Sequence, residues 1–162
     1  MVGPDVQVAA DATELGDGGR VIVWADHTTQ MLGRLQARGG PQGGDGGLIE
    51  TSGNAQLWLG DIVPDASAPK GKPGTWLLDP ITIAVVNAPA CGTDVECIAK
   101  VNSEQKVSSP TAPPNSFISP AVIKGALEAG TDVVLYASGS ISVDEPVLDI
   151  QVPANGAALK MK

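Results

Sequence analysis

The chain has 162 residues and is 43% hydrophobic, enough for one domain with a continuous apolar core. Eighteen acidic residues against ten basic ones give a net charge of −8, which argues against nucleic acid and anionic membrane as partners. No apolar run approaches the roughly 20 residues of a transmembrane helix, and the 3% aromatic content suits a narrow interior filled by Val, Ile, Leu and Ala better than by rings.

Met1-Val2-Gly3-Pro4 has neither the basic start nor the apolar stretch of a signal peptide, so the chain reads as an internal segment with open sheet edges. Residues 6–9 alternate apolar and polar, as a half-buried strand does. Gly16-Asp17-Gly18-Gly19 then opens the apolar run 20–25, Asp26-His27-Thr28-Thr29 forms a polar corner, and residues 31–37 give a second strand. His27 is the only histidine; set in a turn, it reads as a solvated corner residue rather than a metal ligand or general base. The same punctuation returns as Gly44-Asp45-Gly46-Gly47, where Asp45 answers Asp17, and opens the run 48–52. Gly33-Arg34-Leu35 is answered by Gly60-Asp61-Ile62, and Gly47-Leu48-Ile49 by Gly74-Thr75-Trp76, at nearly the same interval. Further strands are predicted over 56–59, 61–63, 75–78 and 81–86.

Short runs rich in Val, Ile, Leu, Thr and Trp, bounded by Gly, Asp, Asn or Pro, are strand punctuation. A repeat of roughly 27–28 residues accommodates three short strands and their turns. Stacking equivalent strands of successive repeats gives parallel sheets. The expected fold is therefore all-β: a right-handed parallel β-helix, or solenoid, interrupted by a long loop and a short helix. The glycine pattern contains neither the dinucleotide fingerprint nor the phosphate loop, and its glycine–aspartate order differs from that of calcium-binding β-roll repeats.

One domain is expected, with β-helix coils over 1–86, an inserted loop over 87–118, a helix over 119–130 and further coil over 131–162. The insertion is polar, proline-rich and aperiodic, and loops of that length are commonly functional. It holds both cysteines, Cys91 and Cys97. They are too few for a zinc site; in an exported chain they close a local disulfide, and in a reduced one they are two thiols. Ser119 as cap, Pro120 at the first helical position and Gly130 beyond the end frame the helix, with Val122, Ile123, Ala126 and Leu127 on its apolar face. Residues 132–137 and 140–143 resume the strand pattern.

Residues 18–26, Thr29, and the stretches 33–40, 43–53, 74–80 and 126–135 together resemble the filamentous-haemagglutinin-like exoproteins of two-partner secretion. The resemblance implies a β-helical shaft from a bacterial surface protein that is exported through a dedicated outer-membrane transporter. Such proteins act as adhesins, toxin carriers or haem-acquisition proteins. It implies a secreted or cell-surface location and a host or neighbouring-cell receptor or glycan as partner; no cofactor is expected.

Three functions follow. The first is adhesion or partner binding through the loop, with Lys100, Lys106, Asn115 and Phe117 as candidate contacts and no catalytic residue or metal. The second is a polysaccharide-acting enzyme, for which Asp26, Asp61 and Asp79 are the candidate carboxylates. The third is end-to-end self-association of the open sheet edges into fibres or surface layers.

Overall fold

The computed structural model describes residues 1–86, 116–143 and 156–162. The described residues form strands β1 (Gln7–Ala9), β2 (Arg20–Ala25), β3 (Thr28–Met31), β4 (Arg34–Gln36), β5 (Leu48–Gly53), β6 (Gln56–Leu59), β7 (Thr75–Leu78) and β8 (Thr82–Val85). Strand β9 (Ser116–Ile118), helix α1 (Pro120–Glu128), β10 (Asp132–Leu135), β11 (Ser140–Val143) and β12 (Leu159–Met161) follow. The fold is mostly β, and every pairing among these strands is parallel.

The repeat sets the register. Arg20 faces Leu48 and Leu48 faces Thr75, so the strands that follow successive glycine motifs lie side by side in a five-stranded sheet ordered β12-β10-β7-β5-β2. A second row holds the pair β3-β6 and the three-stranded sheet β11-β8-β9, and a third holds β1-β4. On this third side Gln36 bridges to Asp65.

The aspartate of the GDGG motif ties one copy to the next. Asp17 Oδ1 accepts the Asp45 N–H at 2.7 Å, and Asp45 Oδ1 accepts the Lys72 N–H at 2.8 Å. The glycines permit the close stacking: Gly44 has φ +117°, and a Cβ on Gly47 would overlap the carbonyl oxygen of Gly19.

Side chains alternate across the five-stranded sheet, as a pleated strand requires. Val21, Ile49, Trp76 and Val133 are register partners, and all are buried in one core. Leu78 and Leu135 pair in the next inward column. The interior is mostly aliphatic, as the composition suggests, but it also takes one large ring. Trp76 is fully buried, and its Nε1–H donates to Thr51 Oγ1 at 2.9 Å. A hydroxyl in the inward column of β5 supplies the acceptor that makes a buried indole tolerable.

Several strand boundaries differ from expectation. Residues 31–37 form no single strand, because β3 ends at Met31 and β4 begins at Arg34. The chain bends at Gly33, where a Cβ would overlap the carbonyl of Val6. Thr28 and Thr29, expected in a corner, belong to β3, and buried Thr29 donates to the Ser52 carbonyl at 2.5 Å. Residues 61–63 form no strand; the Ile62 N–H instead closes a turn on Gly60 O at 2.7 Å. The correspondence of Gly33 with Gly60 is not a register match. Met31 pairs with Leu59, and extending that ladder would set Gly33 opposite Asp61; beyond the bend Gln36 bridges to Asp65, a further slip in the same direction.

Strand β9 is out of sequence order. It pairs with β8 in parallel and lies against β6, whose Leu57 N–H donates to Ser116 Oγ at 2.9 Å. The helix forms as its sequence frame predicts. Ser119 caps it by accepting the Ala121 N–H at 3.2 Å, and Gly130 follows it with φ +87°. Its buried face is Val122, Ile123, Ala126 and Leu127. Thr131, just beyond, accepts the Ala66 N–H at 2.8 Å, which fixes the helix beside the third row.

Candidate functional site

Outward positions of the five-stranded sheet make the most distinctive surface among the described residues. Ile22, Glu50, Leu77 and Val134 are register partners in one outward column. Trp24 faces Ser52 in the next. Since Thr51 faces Leu78 and Leu78 faces Leu135, that column continues through Asp79 and Tyr136. Ile22, Trp24 and Tyr136 are 54%, 56% and 42% exposed, so the face carries apolar and aromatic side chains held out to solvent. Trp24 and Tyr136 are three strand spacings apart, about 14 Å.

Two carboxylates lie between them. Ser52 is buried, and its hydroxyl donates to Glu50 Oε1 at 2.9 Å, which fixes that carboxylate. Burial, and then the charge of Glu50, push the Asp79 carboxyl above its ordinary value. Neither carboxylate has a cationic partner among the described residues. Of the basic groups on this face, Lys160 faces Val134 and is engaged by Asp132 at 3.1 Å, Lys162 lies beside Tyr136 at the edge strand, and Arg20 stands at the outer corner of β2.

A second polar cluster is self-satisfied. Asp11 takes the Arg38 guanidinium through Nη2 at 2.7 Å and Nε at 3.0 Å, and accepts the Arg38 N–H at 2.7 Å. Asp65 approaches the same guanidinium at 4.0 Å. Burial pushes the Asp11 carboxyl up, but its hydrogen bonds and ion pair with Arg38 outweigh this and hold it below the usual range. The hydrogen bond to Asp11 likewise raises Arg38. These residues line a recess of about 470 Å³. Arg38 already has its counter-charges, so the cluster clasps neighbouring repeats and offers no free cation to a ligand.

The candidates from sequence fall apart in space. Cys91, Cys97, Lys100, Lys106 and Asn115 lie outside the described residues. Phe117 is a correction: it is buried in β9 against Ala84 and Val86, where strand pairing with β8 holds it, and it is no exposed loop contact. Of the three candidate carboxylates only Asp79 reaches the outward face. Asp26 follows the end of β2 at an exposed corner, and Asp61 lines a separate groove with Arg34 and Ile62. The partner that Asp79 does have, Glu50, escaped sequence reasoning. The repeat contained the signal, since Glu50 faces Leu77 and Asp79 is the next residue along the same face. His27 is exposed, and the fold uses its carbonyl oxygen, which accepts the N–H groups of Ala55 and Gln56. No group of three side chains able to hold a metal comes together among the described residues.

Compared with protein-family models the chain matches none, and comparison with curated proteins finds no match either.

Proposed function

We propose that this chain is a stretch of right-handed parallel β-helix from the shaft of an exported bacterial surface protein of the filamentous-haemagglutinin-like type. Its role is to carry and present binding surfaces rather than to catalyse. The supporting observation is the parallel, in-register stacking of successive repeats, Arg20 on Leu48 and Leu48 on Thr75, which is the arrangement a β-helix needs. Right-handed winding rests on the general rule for parallel crossovers. The secretion partner would be an outer-membrane transporter, the location the cell surface, and the inserted loop an adhesive element reaching a receptor or glycan. Deleting residues 89–113, which spares β9 and its Ser116 contact, tests this. The deleted protein keeps its parallel-sheet circular dichroism and loses binding to cultured host or neighbouring bacterial cells. Undiminished cell binding refutes the adhesive role of the loop.

A second reading, action on polysaccharide, draws support from one observation. Burial raises the Asp79 carboxyl above its ordinary value beside a Glu50 oriented by Ser52, and paired carboxyl groups serve as acid and base in glycan cleavage. Incubation with a glycan panel decides it: new reducing ends that disappear with Glu50→Gln favour catalysis, and an intact panel excludes it for the sugars tested.

A further inference from the structure

The outward face of the five-stranded sheet combines three properties. It is apolar and aromatic, through Ile22, Trp24, Leu77, Val134 and Tyr136. At its centre it holds Glu50 and Asp79, neither in an ion pair among the described residues, while Lys160 and Lys162 stand at the β12 edge, two strands from β7 and three from β5. It is also a regular sheet surface, with alternate residues of each strand pointing outward at about 6–7 Å intervals along the strand.

We propose that this face binds a basic, partly apolar polypeptide segment, which sets lysine or arginine side chains between Glu50 and Asp79 and apolar ones against Trp24 and Tyr136. Charge complementarity selects this occupant. Two neighbouring carboxylates repel each other and accept hydrogen bonds but donate none when ionised, so an ammonium or guanidinium relieves their repulsion and fills their lone pairs. Aromatic faces beside the carboxylates add cation–π attraction to the same groups. A bare metal ion is a poorer match, because no third ligand converges there among the described residues. The chain's net charge of −8 also steers cationic segments toward it. The proposal rests on the register, exposure and charge of this face and stands or falls separately from the surface-exoprotein reading.

The test uses the full chain and a synthetic peptide of alternating lysine and leucine. Fluorescence anisotropy of the labelled peptide measures binding, with its lysine-acetylated counterpart and a neutral cello-oligosaccharide as competitors. Two variants carry the same net charge: Glu50→Gln/Asp79→Asn on the face, and Asp5→Asn/Glu14→Gln at exposed sites away from it. The face variant binds the peptide at least about tenfold more weakly, as expected for the loss of close charge contacts. Trp24→Ala weakens it too, the distant variant does not, and neither competitor displaces it. Circular dichroism verifies that each variant is folded. Equal loss in both charge variants attributes binding to bulk charge and overturns the proposal. So does absence of peptide binding to the unmodified chain, or displacement by the oligosaccharide, which would assign the face to glycan.

Discussion

The buried pair of Trp76 and Thr51 is the sharpest test of the core. Trp76 is fully buried in the inward column of β7, and its only polar side-chain atom donates to Thr51 Oγ1 at 2.9 Å from the adjacent strand. Thr51→Val keeps the β-branched shape and removes the acceptor. The indole N–H is then left in an apolar interior, which costs about 1–3 kcal/mol. For a chain of this length that lowers the melting temperature by roughly 2–12 °C. Trp76→Phe removes the donor and shrinks the side chain, so it adds a cavity cost to an unpaired hydroxyl. The double variant Thr51→Val/Trp76→Phe removes both polar partners. Its loss is therefore smaller than the sum of the single losses, with a coupling of about 0.5–3 kcal/mol. Guanidinium unfolding followed by tryptophan fluorescence and circular dichroism measures all four proteins. If Thr51→Val is as stable as the parent, or if the single losses add, the indole is not paired across β5 and β7, and the register of the core is wrong.

Gly47→Ala pushes a Cβ into the Gly19 carbonyl and abolishes soluble folded protein, whereas Gly3→Ala, with open space around it, leaves the melting temperature unchanged. Ser116→Ala strands the buried Leu57 N–H and costs about 1–3 kcal/mol in a denaturant titration. A raised carboxyl such as Asp79 contributes stability at low pH that is lost as pH rises through its folded pKa. Asp79→Asn therefore raises the melting temperature near neutrality and not in acid, and an equal gain at both would refute the assignment. The lowered Asp11 works in the opposite sense: its contribution is present above the ordinary carboxylate range and is lost as pH falls through the depressed value. Arg38→Met removes that dependence, so the variant loses less stability on acidification than the parent, as thermal melts across the acid range would record.

The repeat was legible because its punctuation is chemical. Asp17 and Asp45 each hold a backbone N–H of the next copy, and the glycines beside them stand where a side chain would strike the neighbouring chain. A motif bound to one geometry keeps its spacing, so the inward column Val21–Ile49–Trp76 follows from the interval between motif copies. Glu50 beside Asp79 follows from the same interval once the pleat is applied. The helix was legible from Ser119, Pro120 and Gly130, which are local signals. What stayed hidden was order in space. The short run Ser116-Phe117-Ile118 adjoins a long aperiodic segment and has no counterpart at the repeat interval, so nothing local announces that it pairs with β8. Phe117 consequently looked like part of a projecting loop, whereas pairing buries it. The corner at Gly33 was missed for a related reason: the contact that forces it, with Val6, is distant in sequence.

The detour between β8 and β10 explains how a repeat of this kind accepts an insertion. Thr75 of β7 faces Leu48 on one side and Asp132 of β10 on the other, and the chain between Thr75 and Asp132 is about two repeats long instead of one. The five-stranded sheet nevertheless continues without a break. The described part of the detour, residues 116–131, meets the other two rows. The second row takes in β9 between β6 and β8, and there the backbone ladder is interrupted, with the Ser116 hydroxyl receiving the Leu57 N–H in place of a carbonyl. On the third side α1 stands beside residues 63–66, with Gly125 close to Val63 and the Thr131 hydroxyl bound to Ala66 and Pro64. Each strand depends only on its immediate neighbours, so the perturbation ends within one layer, and β10 and β11 return to register on β7 and β8. The register of the five-stranded sheet is thus continuous across the detour. This is why Trp24, Glu50, Asp79 and Tyr136 stay on one side of the sheet although residues from both sides of the detour build it.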